Sequence, residues 1–362
     1  MKISFPHMGS YYPAFKSLIE NLGAQVLIPP PISKKTVELG ARYSPEFACL
    51  PFKINLGNFI EALNLGADVL FQAGRPGPCR YGFYGEVQKE ILQNLGYNFR
   101  MQELFPGNSL LSFIKGLKGL NPDVTFPQIL RAALITIKKI NLIDEMEHLR
   151  RKLRAYEIEK GEADKVFEKA LRWVEEARNL KEIRDARKRI LNRFKTIERD
   201  ETKLPLKIAI VGELYVVMEP FVNLNIEKKL AEMGVEVYRP LCLSEIIRQA
   251  VFFWEYRNVT RKGKEFIDYE LGAHGGHSIG RTVEFSKRDF EGVIHIYPLG
   301  CLPEVSARSI LDKVREKLNI PLLHLSFDEQ TGETGMQTRL EAFVEMLERK
   351  SVIREQYFVN SK

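Results

Sequence analysis

Two of the four cysteines share a local setting: ACLPFK surrounds Cys49 and GCLPEV surrounds Cys301. Cys79 stands in GRPGPCRYGFYG, and Cys242 lies between leucines in YRPLCLSE. Pro51 suits the beginning or interruption of a helix, which places the Cys49 thiolate near unsatisfied backbone N–H groups and favours its charged form. Cys79 and Cys301 each follow an apolar strand pattern through a Pro/Gly turn, the position at which parallel α/β sheets gather their ligands. Cys242 reads as a small buried core thiol. No Cys-x-x-Cys spacing occurs. Thiolates without histidine neighbours favour zinc or iron–sulfur, and structural zinc sites use closely spaced ligand pairs. Three remote thiolates, Cys49, Cys79 and Cys301, therefore match a cubane with one iron left to a non-cysteine ligand. A metal-free nucleophilic cysteine is the competing chemistry, with no His or Asp partner assignable from chain order.

Other groups suited to chemistry lie near the same predicted edge. RPGPCRYGFYG offers Arg75 and Arg80 for anion pairing and Tyr81 and Tyr84 as proton donors. In GAHGGHSIGRTVEF, the glycines and Ser278 before a helical run suit an N-terminal anion nest, and His274 or His277 can exchange a proton. FDEQTGETG follows an apolar strand, so Asp328, Glu329 and Glu333 serve either acid/base chemistry or helix capping. Glu213 and Glu219 bracket LYVVM after KIAIVG and suit a pocket wall or a helix cap. Neither G-x-G-x-x-G nor a Walker loop occurs in the required context, so the sequence makes no case for NAD or for an ATP site in this chain.

The elements that position these residues follow from hydrophobic periodicity. KISF, AQVLIPP, ADVLFQAG and YNFRMQELF read as strands, separated by helical patterns that end at glycine. A second round begins with LPLKIAIVGELYVV and continues through VEVYRPL, FEGVIHIYPLG and IPLLHLSFDE. SEIIRQAVFFWEY and EPFVNLNIEKKLAEMG each read as one helix, and PEFACLPFKINLGNFIEALNLG as a helical segment. This alternation predicts an α/β fold with parallel sheets. NLGAQVLIPP and EMGVEVYRPL repeat one phrase, helix stop then strand into proline, which suggests two domains of one type. From Ile143 to Lys203 more than half the residues are charged and the signs alternate, as in a solvated helical bridge. The expected organisation is a first domain over 1–130, the bridge over 131–203 and a second domain over 204–362.

Composition bounds the function classes. The 362 residues are 44% hydrophobic, with 54 Lys plus Arg against 47 Asp plus Glu for a formal charge of +7. The bases are interspersed with acids and no aromatic-laced basic patch occurs, so nucleic acid is not an expected partner. No stretch has the length and apolarity of a membrane span, and MKISFPHMGSYYP does not read as a signal peptide. Four widely spaced cysteines fit a reducing, cytoplasmic setting better than a disulfide framework.

SPEFACLPFK, GADVLFQAGRPGPCRYGFYGEVQ, GELYVVMEPFVN, GGHSIGRTVE, GVIHIYPLGCLPE and LSFDEQTGETGMQTRLEAFVEML together resemble the 2-hydroxyacyl-CoA dehydratase component and benzoyl-CoA reductase-like subunit family, in particular its stand-alone branch related to CoA-enzyme activases. The resemblance extends through both halves and leaves chiefly the charged bridge without a specific match. It implies two Rossmann-like domains and an iron–sulfur centre, with Cys49, Cys79 and Cys301 in the ligand-bearing segments and Cys242 outside them. The cofactor so implied is a [4Fe–4S] cluster, or the double-cubane [8Fe–9S] form of a further branch. An ATP-dependent activator or reductase is the implied electron donor, and an acyl-CoA or another small reducible molecule the substrate. A homodimer or a related subunit is the implied assembly. Tyr81, Tyr84, His277 and Glu333 become candidate proton donors, and Arg75, Arg80, Ser278 and Arg281 candidate anion contacts. The chain is short for the catalytic components and shows no separate CoA pocket in its sequence. A non-catalytic iron–sulfur carrier or maturation protein, and a metal-free cysteine enzyme, are the alternative functions.

Overall fold

The computed structural model describes residues 1–74, 79–106 and 110–360. The chain divides into two compact units, one comprising Met1–Ile143 and Lys169–Ile190, the other Asp144–Glu168 and Leu191–Lys362.

The first unit runs β1 (Lys2–Ser4), α1 (Tyr12–Asn21), β2 (Gln25–Val26), α2 (Lys34–Tyr43), α3 (Leu50–Asn64), β3 (Val69–Gly74), α4 (Tyr84–Asn94), β4 (Arg100–Phe105) and α5 (Leu110–Leu120). Its four strands are all parallel, in the order β2-β1-β3-β4. Ile3, Phe5, Val69 and Phe71 pack with Leu18 and Ile19 of α1 and with Leu22 just after it on one side. Leu70 packs with Phe52, Leu56, Phe59 and Ile60 of α3 on the other. Gly40 and Gly57 let α2 and α3 cross at backbone contact: a Cβ on Gly40 would stand 1.7 Å from the Lys53 carbonyl oxygen, and one on Gly57 1.9 Å from that of Thr36. That contact seats α3, and with it Cys49 at its start, against α2 and the sheet.

Three helices follow, α6 (Phe126–Arg154), α7 (Glu162–Glu176) and α8 (Leu180–Lys195). The bridge predicted from alternating charge is thus helical. It is not merely a solvated face, since Ile135, Ile140, Ile143, Met146, Phe167 and Val174 are buried.

The second unit continues with β5 (Leu206–Gly212), α9 (Leu214–Met218), α10 (Ile226–Glu232), β6 (Val235–Tyr238), α11 (Leu243–Val251), α12 (Phe253–Arg261), α13 (Gly275–Phe285), β7 (Gly292–Pro298), α14 (Leu302–Leu318), β8 (Leu322–Phe327) and α15 (Glu333–Asn360). Its strands are again all parallel, in the order β6-β5-β7-β8. Both sheets therefore have the same 2-1-3-4 order, the arrangement of two Rossmann-like units, in agreement with the repeated phrase in the sequence. In each, the chain leaves the two central strands in opposite directions, which opens a crevice at their C-terminal ends. At that point in the second unit Gly212 has φ 143°. A side chain there would meet the Ile296 carbonyl oxygen at 1.8 Å, so glycine is required for β5 to lie against β7.

Several local expectations shift. LYVV leaves the strand and forms α9, because Glu213 caps a helix there: its carboxylate accepts from the Val216 N–H at 3.0 Å. SEIIRQAVFFWEY is two helices that meet at Phe252, and EPFVNLNIEKKLAEMG is helical only from Ile226. Among the described residues no helix is long and apolar enough to cross a membrane.

Candidate functional site

All four cysteines are thiols, and each occupies the N-cap of a helix or helical turn. Cys49 begins α3 and Cys301 begins α14, each in extended backbone, with Pro51 and Pro303 in the first turn. Proline is tolerated there because its missing N–H would have no intrahelical partner. The repeated Cys-Leu-Pro is thus a repeated helix start, and Pro51 begins α3 without interrupting it. α3 leads into β3 of a parallel sheet, so its N-terminus lies on the C-terminal side of that sheet. α14 starts on the corresponding side of the second sheet, directly after β7. Both thiols are buried. Cys79 caps the 3-10 turn Arg80–Phe83 after β3 and is half-buried. Cys242 is also half-buried, at the start of α11, where the sequence suggested a core position. Burial, reinforced by the Asp144 charge, raises the Cys242 thiol above its ordinary value despite the Ser244 hydroxyl 3.5 Å away. This disfavours its thiolate form.

Around Cys49 the environment is aromatic. The Tyr84 hydroxyl lies 2.5 Å from the Cys49 sulfur. The Tyr84 ring meets Phe52 edge-on at 5.0 Å and Tyr81 at 5.1 Å. Arg80 is exposed and donates to the Phe47 carbonyl at 2.7 Å. The structure thus brings Cys49, Tyr81 and Tyr84 together. Arg75 lies outside the described residues.

The second unit assembles a different set. His277 is buried, with Nε2 3.6 Å from the Glu245 carboxylate and 3.3 Å from Gln249 Nε2. Arg281 pairs with Glu245, and with Glu284 at 2.8 Å, so carboxylates of its own unit take up its charge. Burial pushes the Glu245 carboxyl up, but His277 and Arg281 outweigh it and hold the group below its usual value. Ser278 is buried near the start of α13, and its hydroxyl has no hydrogen-bond partner. His274 caps that helix, and burial with the neighbouring His277 lowers it to about 4, which keeps it neutral. Glu333 is 68% exposed and pairs with Lys229 at 2.6 Å, apart from these groups. Asp328 closes its own loop by accepting from the Thr331 hydroxyl and the Gln330 N–H.

Sequence reasoning passed over three residues here: His295, His324 and Glu304. His295 is fully buried in β7, where its Nε2 lies 2.9 Å from a Glu304 carboxylate oxygen and its Nδ1 2.9 Å from His324 Nδ1. Glu304 is at the third position of α14, where a capping-box acid would turn back to the N-cap N–H. It reaches His295 instead, and its second oxygen is buried without a partner. Glu213 is half-buried. The atoms packed about its carboxyl push it up to about 7, and the Glu304 charge adds to this against the Val216 and Tyr215 N–H groups. The available signal was a histidine in the apolar strand VIHIYP followed by a glutamate three residues past Cys301.

Among the described residues no group of three or more His, Cys, Asp or Glu side chains is gathered so as to hold a metal ion. The donor chemistry of the cysteines nevertheless fits an iron–sulfur centre. Thiols at helix N-termini face unpaired N–H groups that stabilise thiolate and an anionic cluster. A hydroxyl against the Cys49 sulfur is the kind of contact that tunes such a centre.

Two Rossmann-like units, each built on an all-parallel sheet, define the chain as an α/β protein. Residues 5–73 and 120–243 match the CoA enzyme activase uncharacterised domain (DUF2229), and residues 284–347 match the 2-hydroxyglutaryl-CoA dehydratase, D-component. The first match covers more than half of the chain, which belongs to that CoA enzyme activase-related family. Cys49 and Cys242 fall within the first match and Cys301 within the second, while Cys79 lies between the matched segments. No curated protein matches the chain.

Proposed function

We propose that this chain is an iron–sulfur protein of the 2-hydroxyacyl-CoA dehydratase or low-potential reductase type, supplied with electrons by an ATP-dependent activator. The observation that carries this reading is the pair of family-matched Cys-Leu-Pro segments, each presenting a buried thiol at a helix N-cap on the ligand edge of a parallel sheet. Cys49, Cys79 and Cys301 are the proposed ligands. A [4Fe–4S] cluster, or a double-cubane [8Fe–9S] centre, would supply one-electron storage at low potential. The Tyr84 hydroxyl would hold a hydrogen bond to the Cys49 sulfur, and the Tyr81 and Phe52 rings would keep water from it. Tyr84 and His277 would hold transferable protons. Arg80 of the first unit and, separately, the Ser278 hydroxyl of the second are the candidate contacts for an anionic group of an acyl-CoA or another small reducible molecule. A homodimer or a related subunit is the proposed assembly.

Two placements favour the alternative of a non-catalytic iron–sulfur carrier. Arg281 is already paired with two carboxylates, and Glu333 is too exposed for a tuned general acid. Anaerobic purification with iron and sulfide analysis tests the shared part of both readings, and about four irons and four sulfides per chain are expected for one cubane. A colourless protein holding about one zinc contradicts both. Activator-driven turnover of an acyl-CoA then selects the enzyme over the carrier.

A further inference from the structure

A histidine in the middle of a buried parallel strand is costly unless both ring nitrogens are engaged. His295 in β7 is 0% exposed and satisfies this on two sides, through Glu304 of α14 and His324 of β8. His324 is 10% exposed, and its Nε2 lies 3.5 Å from a carboxylate oxygen of Asp312, itself 39% exposed on α14. The four groups form a continuous line from solvent to the interior, all within the second unit. We infer that Asp312, His324, His295 and Glu304 form a proton relay that carries protons from the surface to the buried carboxylate in the first turn of α14, three residues from Cys301.

The contact between the two Nδ1 atoms fixes the chemistry. At 2.9 Å one proton lies between them, so one ring donates and the other accepts. With Glu304 ionised, His295 Nε2–H donates to Glu304, leaving His295 Nδ1 to accept from His324 Nδ1–H. His324 Nε2 then carries a lone pair toward Asp312, consistent with its lack of a hydrogen-bond partner at 3.5 Å. A proton from water, held by Asp312, adds to His324 Nε2. The His324 Nδ1–H bond breaks as the His295 Nδ1–H bond forms, and the His295 Nε2–H bond breaks as a proton joins Glu304 Oε2. The net change is one proton moved from water to Glu304, with both rings neutral before and after and their tautomers exchanged. Glu304 Oε1, buried and without a partner, marks the inner end of the path.

The surroundings favour a neutral His324 ring. Burial, then the neighbouring His295, lowers His324 to about 4, and Arg308 adds to the effect while Asp312 opposes it. Tyr297 stacks on His295 at 4.7 Å, with its hydroxyl 3.3 Å from Arg308. At the inner end, Glu304 acts electrostatically on Glu213, His274 and Tyr256. That these protons accompany electrons to a cluster rests on the function proposed above, whereas the relay itself does not.

The test uses full-length protein without added iron, labelled with 15N in its six histidines, with ring signals assigned by single substitutions. The relay requires His295 protonated on Nε2 and His324 on Nδ1, with one proton shared across the two Nδ1 atoms. It also requires that the buried His295 N–H exchange with water through His324. In His324→Phe that route closes, only local opening exposes the ring, and exchange slows roughly tenfold or more. Asp312→Asn gives a smaller slowing in the same direction. Unchanged exchange in a folded His324→Phe protein overturns the relay. If that variant does not fold, wild-type tautomers decide: two bare or two protonated Nδ1 atoms overturn it as well. Iron and sulfide content is measured separately, so a working relay in a chain that binds no iron overturns the cluster reading alone.

Discussion

Cys49 and Cys301 begin their helices in the same way, with the thiol at the N-cap, Leu and Pro behind it, and a parallel sheet of the same strand order beneath. They differ at the next residue. After Cys49 the third helical position is Phe52, which packs against Tyr84, whose hydroxyl lies against the Cys49 sulfur in an aromatic setting. After Cys301 it is Glu304, which turns away from the cap to the buried His295 of the strand, itself in contact with His324. One frame thus serves two chemical purposes. The first unit builds an aromatic setting around a sulfur, and the second builds the line of groups proposed to carry protons.

The largest change expected comes from the framework that supports the second setting. Arg239 donates to Glu147, Glu227 and the Leu241 carbonyl, all within the second unit. Burial raises the Glu227 carboxyl, but Arg239, with Arg151 and its arginine neighbours, holds it down to about 2. Arg239→Met leaves two buried carboxylates undercompensated, and a loss of about 3–5 kcal/mol is expected in urea unfolding. Cys301 should then be alkylated at lower urea than in the wild type. Retention of the wild-type midpoint would show that the network does not hold this unit.

A smaller effect isolates the acid near the proton line. The folded value of Glu213, about 7, lies above its ordinary 4.5, so the native state binds the extra proton between these values. Its contribution to stability is complete below about 4.5 and is lost as pH rises through about 7. Glu213→Gln keeps an oxygen to accept from Val216 and should be more stable than wild type at pH 8 by about 1–2 kcal/mol, allowing for partial exposure. The difference should vanish near pH 4. Parallel stability curves for the two proteins across that range would refute the assignment.

The smallest change addresses the first setting. Tyr84→Phe keeps the ring packing on Phe52 and Tyr81 and removes only the hydroxyl at Cys49, at a cost of about 1 kcal/mol. If that hydroxyl donates to the thiolate, its loss raises the pH at which Cys49 is alkylated by up to about one unit. Cys301 should not respond. Equal shifts at both cysteines would erase the distinction between the settings.

Much of this was legible in the sequence. The periodic strands, glycine stops and repeated phrase gave two parallel α/β units, and Cys-Leu-Pro marked the same edge twice. The helix over 34–43 has little apolar signal in KKTVELGARY. It is fixed instead by the Ser33/Thr36 capping box and by glycine contact with α3. Glu213 ended a strand that apolar residues would have extended, since a cap depends on one hydrogen bond and not on hydropathy. His295 was hidden for a related reason: its partners are nine and twenty-nine residues away and meet it only when β7, β8 and α14 pack. Arg281 read as a contact for anions from outside, yet Glu245, remote in sequence, is already its partner.

The central proposal is that Cys49, Cys79 and Cys301 are iron–sulfur ligands and Cys242 is not. Its most direct test is anaerobic iron and sulfide content, with electron paramagnetic resonance of the reduced protein, in Cys49→Ser, Cys79→Ser, Cys301→Ser and Cys242→Ser. The account predicts about four irons and four sulfides in the wild type, or about eight irons for a double cubane, and a marked loss in each of the first three variants. Cys242→Ser should retain the wild-type content and spectrum. Full iron content in Cys49→Ser or Cys301→Ser, or its loss only in Cys242→Ser, would contradict the claim.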